Sequence, residues 1–135
     1  MTVAPKKLLT CQTEWSLSGQ HTGSTDIPLT ARGEDQARAL IPWLGHVQFG
    51  LVLTSPRQRA RLTCELVGLG REAKIEADLV EWDYGDYEGK LSSDIRKQRP
   101  EWNVFRDGCP HGEMPAEVSD RADRLIARLC TMNGN

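Results

Sequence analysis

The segment that most constrains the fold is Leu51-Val52-Leu53-Thr54 running directly into Ser55-Pro56. Four β-favouring residues predict a strand, and a capping hydroxyl followed by proline at the first helical position predicts an immediate helix start. That helix is expected to run to about Val67, with Ala60, Cys64 and Val67 as its apolar stripe and Arg57, Arg59 and Arg61 in its opening turns. A strand that feeds straight into a helix is the building unit of a layered α/β/α domain with a mainly parallel sheet.

The flanking sequence agrees with that class. Lys7-Leu8-Leu9-Thr10-Cys11 reads as a short buried strand, and the polar stretch to Thr30, with Gly19, Gly23, Asp26 and Pro28, as a long loop. Thr30 suits a helix N-cap, and Ala37, Leu40, Ile41 and Leu44 fall at helical spacing. Pro42 should kink or weaken the last turn, and Gly45 should end it. A weaker strand is expected near Ala73 to Ala77, then glycine-punctuated turns through Glu81-Trp82-Asp83-Tyr84-Gly85-Asp86-Tyr87-Glu88-Gly89. A short helix over Ser92 to Gln98, a loop through Pro115 and an amphipathic helix carrying Val118, Ala122, Leu125, Ile126 and Leu129 complete the series. Two clear strands and one weak one are few for a parallel sheet covered on both faces, so the layered domain, one unit over residues 1–135, is expected to be incomplete at its C-terminus.

Charge excludes one class of partner. Lys and Arg total 17 against 19 Asp and Glu in 135 residues, so no basic face is available to hold nucleic acid. No apolar run has membrane-spanning length, and Met1 to Lys7 lacks a signal-peptide core, so a soluble cytoplasmic product with no membrane partner is expected. Cys11, Cys64, Cys109 and Cys130 are scattered, without paired CxxC spacing, and read as free thiols; neither a metal nor a cofactor is expected.

Several residues carry chemistry. Arg59 near a helix start suits an anion, because unpaired terminal amides and a guanidinium converge there; an exposed basic helix face is the plainer account. Glu81 lies among Trp82, Tyr84 and Tyr87, whose rings could desolvate the carboxyl group and raise its pKa toward that of a general acid, although a surface carboxylate in an aromatic turn has the same pattern. Among His21, His46 and His111 no two are close enough for a local metal pair. Cys11 ends the first strand, but a cysteine phosphatase needs an arginine closing its loop, and position 17 is Leu17.

Taken together, four segments resemble the histidine phosphatase superfamily, the phosphoglycerate-mutase-like enzymes, and their sedoheptulose-bisphosphatase-like sugar-phosphatase branch. They are Gln12-Thr13-Glu14-Trp15-Ser16-Leu17-Ser18-Gly19-Gln20-His21-Thr22-Gly23, Thr54-Ser55-Pro56-Arg57-Gln58-Arg59-Ala60-Arg61, the Glu81 to Gly89 segment, and Trp102-Asn103-Val104-Phe105-Arg106-Asp107-Gly108-Cys109. The resemblance implies phosphoryl transfer to a histidine in an Arg-His-Gly motif, followed by hydrolysis of the phosphohistidine. Carried over, that motif falls on Leu9-Thr10-Cys11, so Thr10 stands where the nucleophile would be. The family's second pocket histidine belongs to a strand beyond this sequence, which leaves Arg59 alone of the four-residue phosphate pocket. Glu81 falls on the general acid, and His21, Thr22, Tyr84 and Arg106 on positions lining the sugar-phosphate pocket. His111-Gly112-Glu113 echoes the nucleophile motif but occupies the family's later Gly-Glu loop.

Neutral imidazole is both a nucleophile and, once phosphorylated, a good leaving group; a threonine hydroxyl is neither without a base. Three readings follow. The chain is an inactive relative or truncated product of a sugar phosphatase. Alternatively it is a regulatory pseudoenzyme that binds sugar phosphate weakly and associates with itself or an active paralogue through an exposed sheet edge. Or it keeps residual activity through a displaced residue such as His111 or Cys11.

Overall fold

The computed structural model describes residues 11–132. The expected strand from Lys7, and Thr10 with it, lies outside the described residues. The chain divides into two compact units, one made of Ile27–Glu76 with the residues up to Glu14, the other of Trp15–Asp26 with the residues from Ala77 on.

The first unit contains the strand–helix–strand element the sequence predicts. Strand β1 (Val52–Thr54) pairs in parallel with β2 (Ala73–Ile75), in the register Val52 to Ala73, Leu53 to Lys74 and Thr54 to Ile75. One helix joins them, starting later than expected, at Gln58, and ending at Leu66. The Ser55 hydroxyl accepts the Arg57 amide at 3.4 Å in a local turn instead of capping the helix. Short-range bonding of this kind competes with the helix for the same backbone. Arg57 is thus the N-cap, with no side-chain cap bond.

Upstream, the Thr30 hydroxyl accepts the Gly33 amide at 3.0 Å and caps a helix over Ala31–Arg38. Gly33 is buried, and a Cβ there would stand 2.1 Å from the Gln12 carbonyl oxygen, so glycine is required where this helix meets the backbone at Gln12. Pro42 does not kink the end of this helix. The helix stops at Arg38, and Pro42 opens a separate turn, Ile41–Leu44, in a position where its missing N–H costs nothing. Ala37, Leu44 and Val67 form the buried core of the unit, flanked by Cys11, Leu40, Phe49, Leu66 and Leu69.

A helix over Glu14–Ser18, which belongs to the second unit from Trp15 on, interrupts the stretch expected as a continuous loop. Gly19, at φ 81°, closes it, and the Gln20 amide reaches back to the Trp15 carbonyl at 2.9 Å. One 3₁₀ turn, Ala77–Leu79, precedes the acidic aromatic segment and another, Gly85–Tyr87, lies within it. The helix Ser92–Gln98 has the expected bounds. A short helix, Val104–Asp107, capped by Asn103, breaks what was read as loop. The last helix runs Pro115–Met132. Its inward face differs from the apolar stripe: Leu125 and Arg121 are buried, and Ile126 is 54% exposed. Trp82, Ile95, Trp102 and Cys109 form the core of this unit, with Tyr84, Tyr87, Val104 and Val118 packed on it. Among the described residues no helix is long and apolar enough to cross a membrane.

Candidate active site

In the second unit, the loop after Gly19 and the segment after Glu81 are sewn together by backbone bonds. His21 donates its amide to Lys90 and accepts from Gly89, and the Gln20 side-chain amide adds a bond to the Gly89 carbonyl at 2.7 Å. Gly23 is buried at the crossing, where a Cβ would lie 1.9 Å from the Trp82 carbonyl oxygen. The Glu88 carboxylate fills the resulting nest of amides. It accepts from Gly23 (3.2 Å), Ser24 (2.9 Å), Thr25 (3.2 Å) and Tyr84 (3.1 Å). Burial pushes its pKa up, but the bonds from Thr25, Gly23, Ser24 and Tyr84 outweigh it and hold the group below the usual carboxylate range.

This frame positions His21. Its ring stacks on Tyr84 with centroids 4.5 Å apart and meets Trp102 edge-on at 5.6 Å. Nε2 lies 3.1 Å from the Ser92 hydroxyl. Burial lowers the His21 pKa, Glu88 pulls it back up, and Arg96 lowers it further, so the net preference is for neutral imidazole. Tyr84 is pushed up to about 12, first by burial and then by Glu81, Cys109 and Glu88. The half-buried Thr22 donates its hydroxyl to the Gln20 carbonyl at 3.2 Å. His21, Thr22 and Tyr84 thus share one ordered surface that presents hydroxyl and neutral ring groups.

Glu81 differs from the sequence expectation. The neighbouring rings do not bury it: the residue is exposed, and its Oε1 accepts the amide of Trp82 at 2.9 Å. Trp82 turns the other way into the core, where its indole N–H donates to the Glu113 carbonyl at 2.9 Å. Arg106 is also exposed, and its guanidinium is engaged by both carboxylate oxygens of Asp107 at 2.9 Å and by the Glu101 carbonyl. The Arg106 hydrogen bond, with the Asn103 amide second, brings Asp107 down to about 2. Arg106 lines a shallow cleft with Arg99, Pro100, Glu101, Trp102 and Asp107. Trp102 therefore both meets the His21 ring and lines the Arg106 cleft.

Arg59 belongs to the first unit, in the second position of its helix, and its carbonyl accepts the Thr63 hydroxyl at 2.7 Å. Cys11 is half-buried against the core of that unit, and His46 is exposed. His111, in the second unit, is exposed at φ 56°, and its Nδ1 lies 2.8 Å from Asp86. No group of three His, Cys, Asp or Glu residues among those described is arranged to hold a metal ion.

Three contributors have no local sequence signal: Ser92, Glu88, and an ion pair in which Arg121 Nε and Nη2 contact the Glu113 carboxylate at 2.7 and 3.0 Å. Glu88 lies 63 to 65 positions from the loop amides it holds, so only the fold reveals the pairing.

Residues 11–135 match the histidine phosphatase superfamily (branch 1), and the chain belongs to that superfamily. It is 42% identical to the sedoheptulose 1,7-bisphosphatase of Saccharomyces cerevisiae over 87% of this chain and 52% of that protein. A solved structure of an open reading frame product from Mycobacterium tuberculosis superimposes with a TM-score of 0.80 at 42% identity, over 87% of this chain and 62% of that one. A phosphoglycerate mutase from Thermus thermophilus gives 0.68 at 30% identity, over 87% and 67%. The fold is thus α/β with a parallel sheet, of the phosphoglycerate-mutase-like kind, and the chain spans about half the length of the curated relatives it matches.

Proposed function

We propose that this chain is a histidine-phosphatase scaffold that keeps a sugar-phosphate-facing surface and has lost efficient phosphoryl transfer. One observation carries the reading: Leu9-Thr10-Cys11 stands where the family resemblance requires Arg-His-Gly. Thr10 offers neither an imidazole lone pair nor the leaving-group ability of a phosphohistidine, and a phosphothreonine would resist hydrolysis. Leu9 in place of arginine removes a guanidinium from the phosphate, so binding falls to the millimolar range at best, about −4 kcal/mol. Glu81 takes the general-acid position, with its carboxyl group open to solvent and able to meet a leaving alkoxide. Arg59 serves the phosphate, and His21, Thr22, Tyr84 and Arg106 serve the sugar. No cofactor enters this scheme.

The reading is tested by phosphate release from a sugar bisphosphate, compared with a histidine-bearing relative. The expected rate is lower by about 10⁶-fold, the scale of loss when a nucleophile is removed. Release within about a hundredfold of the relative, abolished by Thr10→Ala, His111→Ala or Cys11→Ala, overturns it and supports a displaced nucleophile.

A further inference from the structure

The segment that carries Glu81 is irregular, lying between two 3₁₀ turns with no strand partner for Val80 to Asp83 among the described residues. Its backbone groups must find partners elsewhere, because unpaired ones in a packed region are costly. The Val80 carbonyl and the Asp83 amide find them in one ion pair. Arg121, buried on the last helix, donates from Nη1 to the carbonyls of Val80 at 2.8 Å and Asp78 at 3.2 Å. The rest of its guanidinium grips the Glu113 carboxylate in a two-pronged contact. Glu113 in turn holds the other side of the segment. Its Oε2 accepts the Asp83 amide at 2.9 Å, its own amide donates to the Asp83 carbonyl at 2.8 Å, and its carbonyl takes the Trp82 indole N–H.

Glu81 therefore sits between two fixed points, Val80 and Asp83, set by the same pair of side chains. We infer that Glu113 and Arg121 are the positioning residues for the Glu81 carboxyl group. The inference rests on Glu81 as the acid of the proposed site; neither partner touches substrate. Charge-assisted bonds of this geometry are the strong class of protein hydrogen bond, and Arg rather than Lys is suited to the role because one planar group serves a carboxylate and two carbonyls together. The Arg121 bond lowers the Glu113 pKa against the upward push of burial, and the Glu113 bond raises that of Arg121, so both stay charged near neutrality.

The test reads Glu81 itself, independently of turnover. Its Oε1 accepts the Trp82 amide, so the chemical shift of the Trp82 amide proton in the full chain reports by NMR whether that bond is held. Loss of the clamp shifts the local equilibrium by about tenfold. The hydrogen-bonded shift of the Trp82 amide should therefore be lost in Glu113→Ala and Arg121→Met, survive in part in Glu113→Gln, and stay unchanged in Arg124→Ala. Arg124 lies on the same helix and bonds the Asp78 carboxylate, which Arg128 also holds. Ring-current-shifted signals of His21 on Tyr84 show that each variant is folded. An undiminished hydrogen-bonded Trp82 shift in folded Glu113→Ala and Arg121→Met overturns the inference. If either fails to fold, Glu113→Gln and Arg121→Lys decide on the same criterion. A phosphate-release rate unaffected by Glu81→Gln would refute the acid reading alone and leave the NMR result standing.

Discussion

Glu88 is the most heavily bonded carboxylate at the site, and its removal gives a stability change whose size follows from its surroundings. Glu88→Ala removes the carboxylate to which four amides donate, those of Gly23, Ser24, Thr25 and Tyr84. Bonds to a charged group contribute about 1.5–3 kcal/mol each, but simple addition overshoots, since water can replace the carboxylate at the half-exposed Ser24 and Thr25. Gly23 is buried, with the Trp82 backbone against it, so water has little room there. The net loss should be about 3 kcal/mol, or about 10 °C in melting temperature for a chain of this size. Glu88→Gln keeps one acceptor oxygen and turns an NH₂ toward the amides, so its loss should be smaller, about 1–2 kcal/mol. Urea unfolding at pH 7, with slopes compared between variants, measures both. The pH dependence gives an independent sign. The folded-state pKa of Glu88 is lowered, so its stabilising contribution is fully present above the unfolded value of about 4.3 and fades as pH falls through the folded value. The gap between wild type and Glu88→Ala should be constant from pH 7 to about pH 5 and shrink below about pH 4. A loss under about 0.5 kcal/mol, or a gap that widens on acidification, would refute the reasoning.

At the second loop crossing, Gly112→Ala would place a methyl group 2.3 Å from the Asp83 carbonyl oxygen and 2.6 Å from the Gly85 amide, both backbone atoms. A cost of about 3 kcal/mol in unfolding free energy is expected, against less than about 0.5 for Gly50→Ala, where nothing lies within 4 Å; equal effects would refute the close approach. His21 should titrate below the free-histidine value of about 6.5, so the unfolded chain binds its proton first and this group weakens the fold as pH falls from about 6.5 through the folded value. Tyr84→Ala strips the stacked ring and should move the NMR midpoint toward about 6.5; a wild-type midpoint at or above that value contradicts the burial account.

What the sequence reveals and what it hides divide along range. The β1 to β2 element, the Thr30 cap and the bounds of the Ser92–Gln98 helix rest on neighbouring residues, and all three follow from local pattern. The late helix start after Ser55 is also local, but there the Ser55 hydroxyl has two short-range bonding options and the pattern alone does not rank them; Pro42, expected to weaken a last turn, instead opens a separate one. His21, Glu81 and Arg106, proposed for the site, emerge from motif resemblance, whereas the partners that hold them do not. Ser92 lies 71 positions from His21, and Arg121 lies 41 from Val80.

The last helix shows why an apolar stripe misleads at such a place. Its spacing predicts Leu125 and Ile126 inward; Leu125 is buried, but Arg121 is buried beside it and Ile126 is exposed. A purely apolar face would cover the core around Trp82 but leave the Val80 and Asp78 carbonyls without donors, because the segment carrying Glu81 has no strand neighbour among the described residues to supply them. A buried guanidinium satisfies those carbonyls only if its charge is matched, and Glu113 matches it while also bonding the Asp83 amide. Replacing either partner alone leaves an uncompensated charge, whereas an apolar pair in their place would keep the packing and lose the backbone bonds. The polar inward face is therefore the consequence of mounting a carboxyl group on irregular backbone: the segment that frees Glu81 to face solvent is the one that requires a charged clamp behind it.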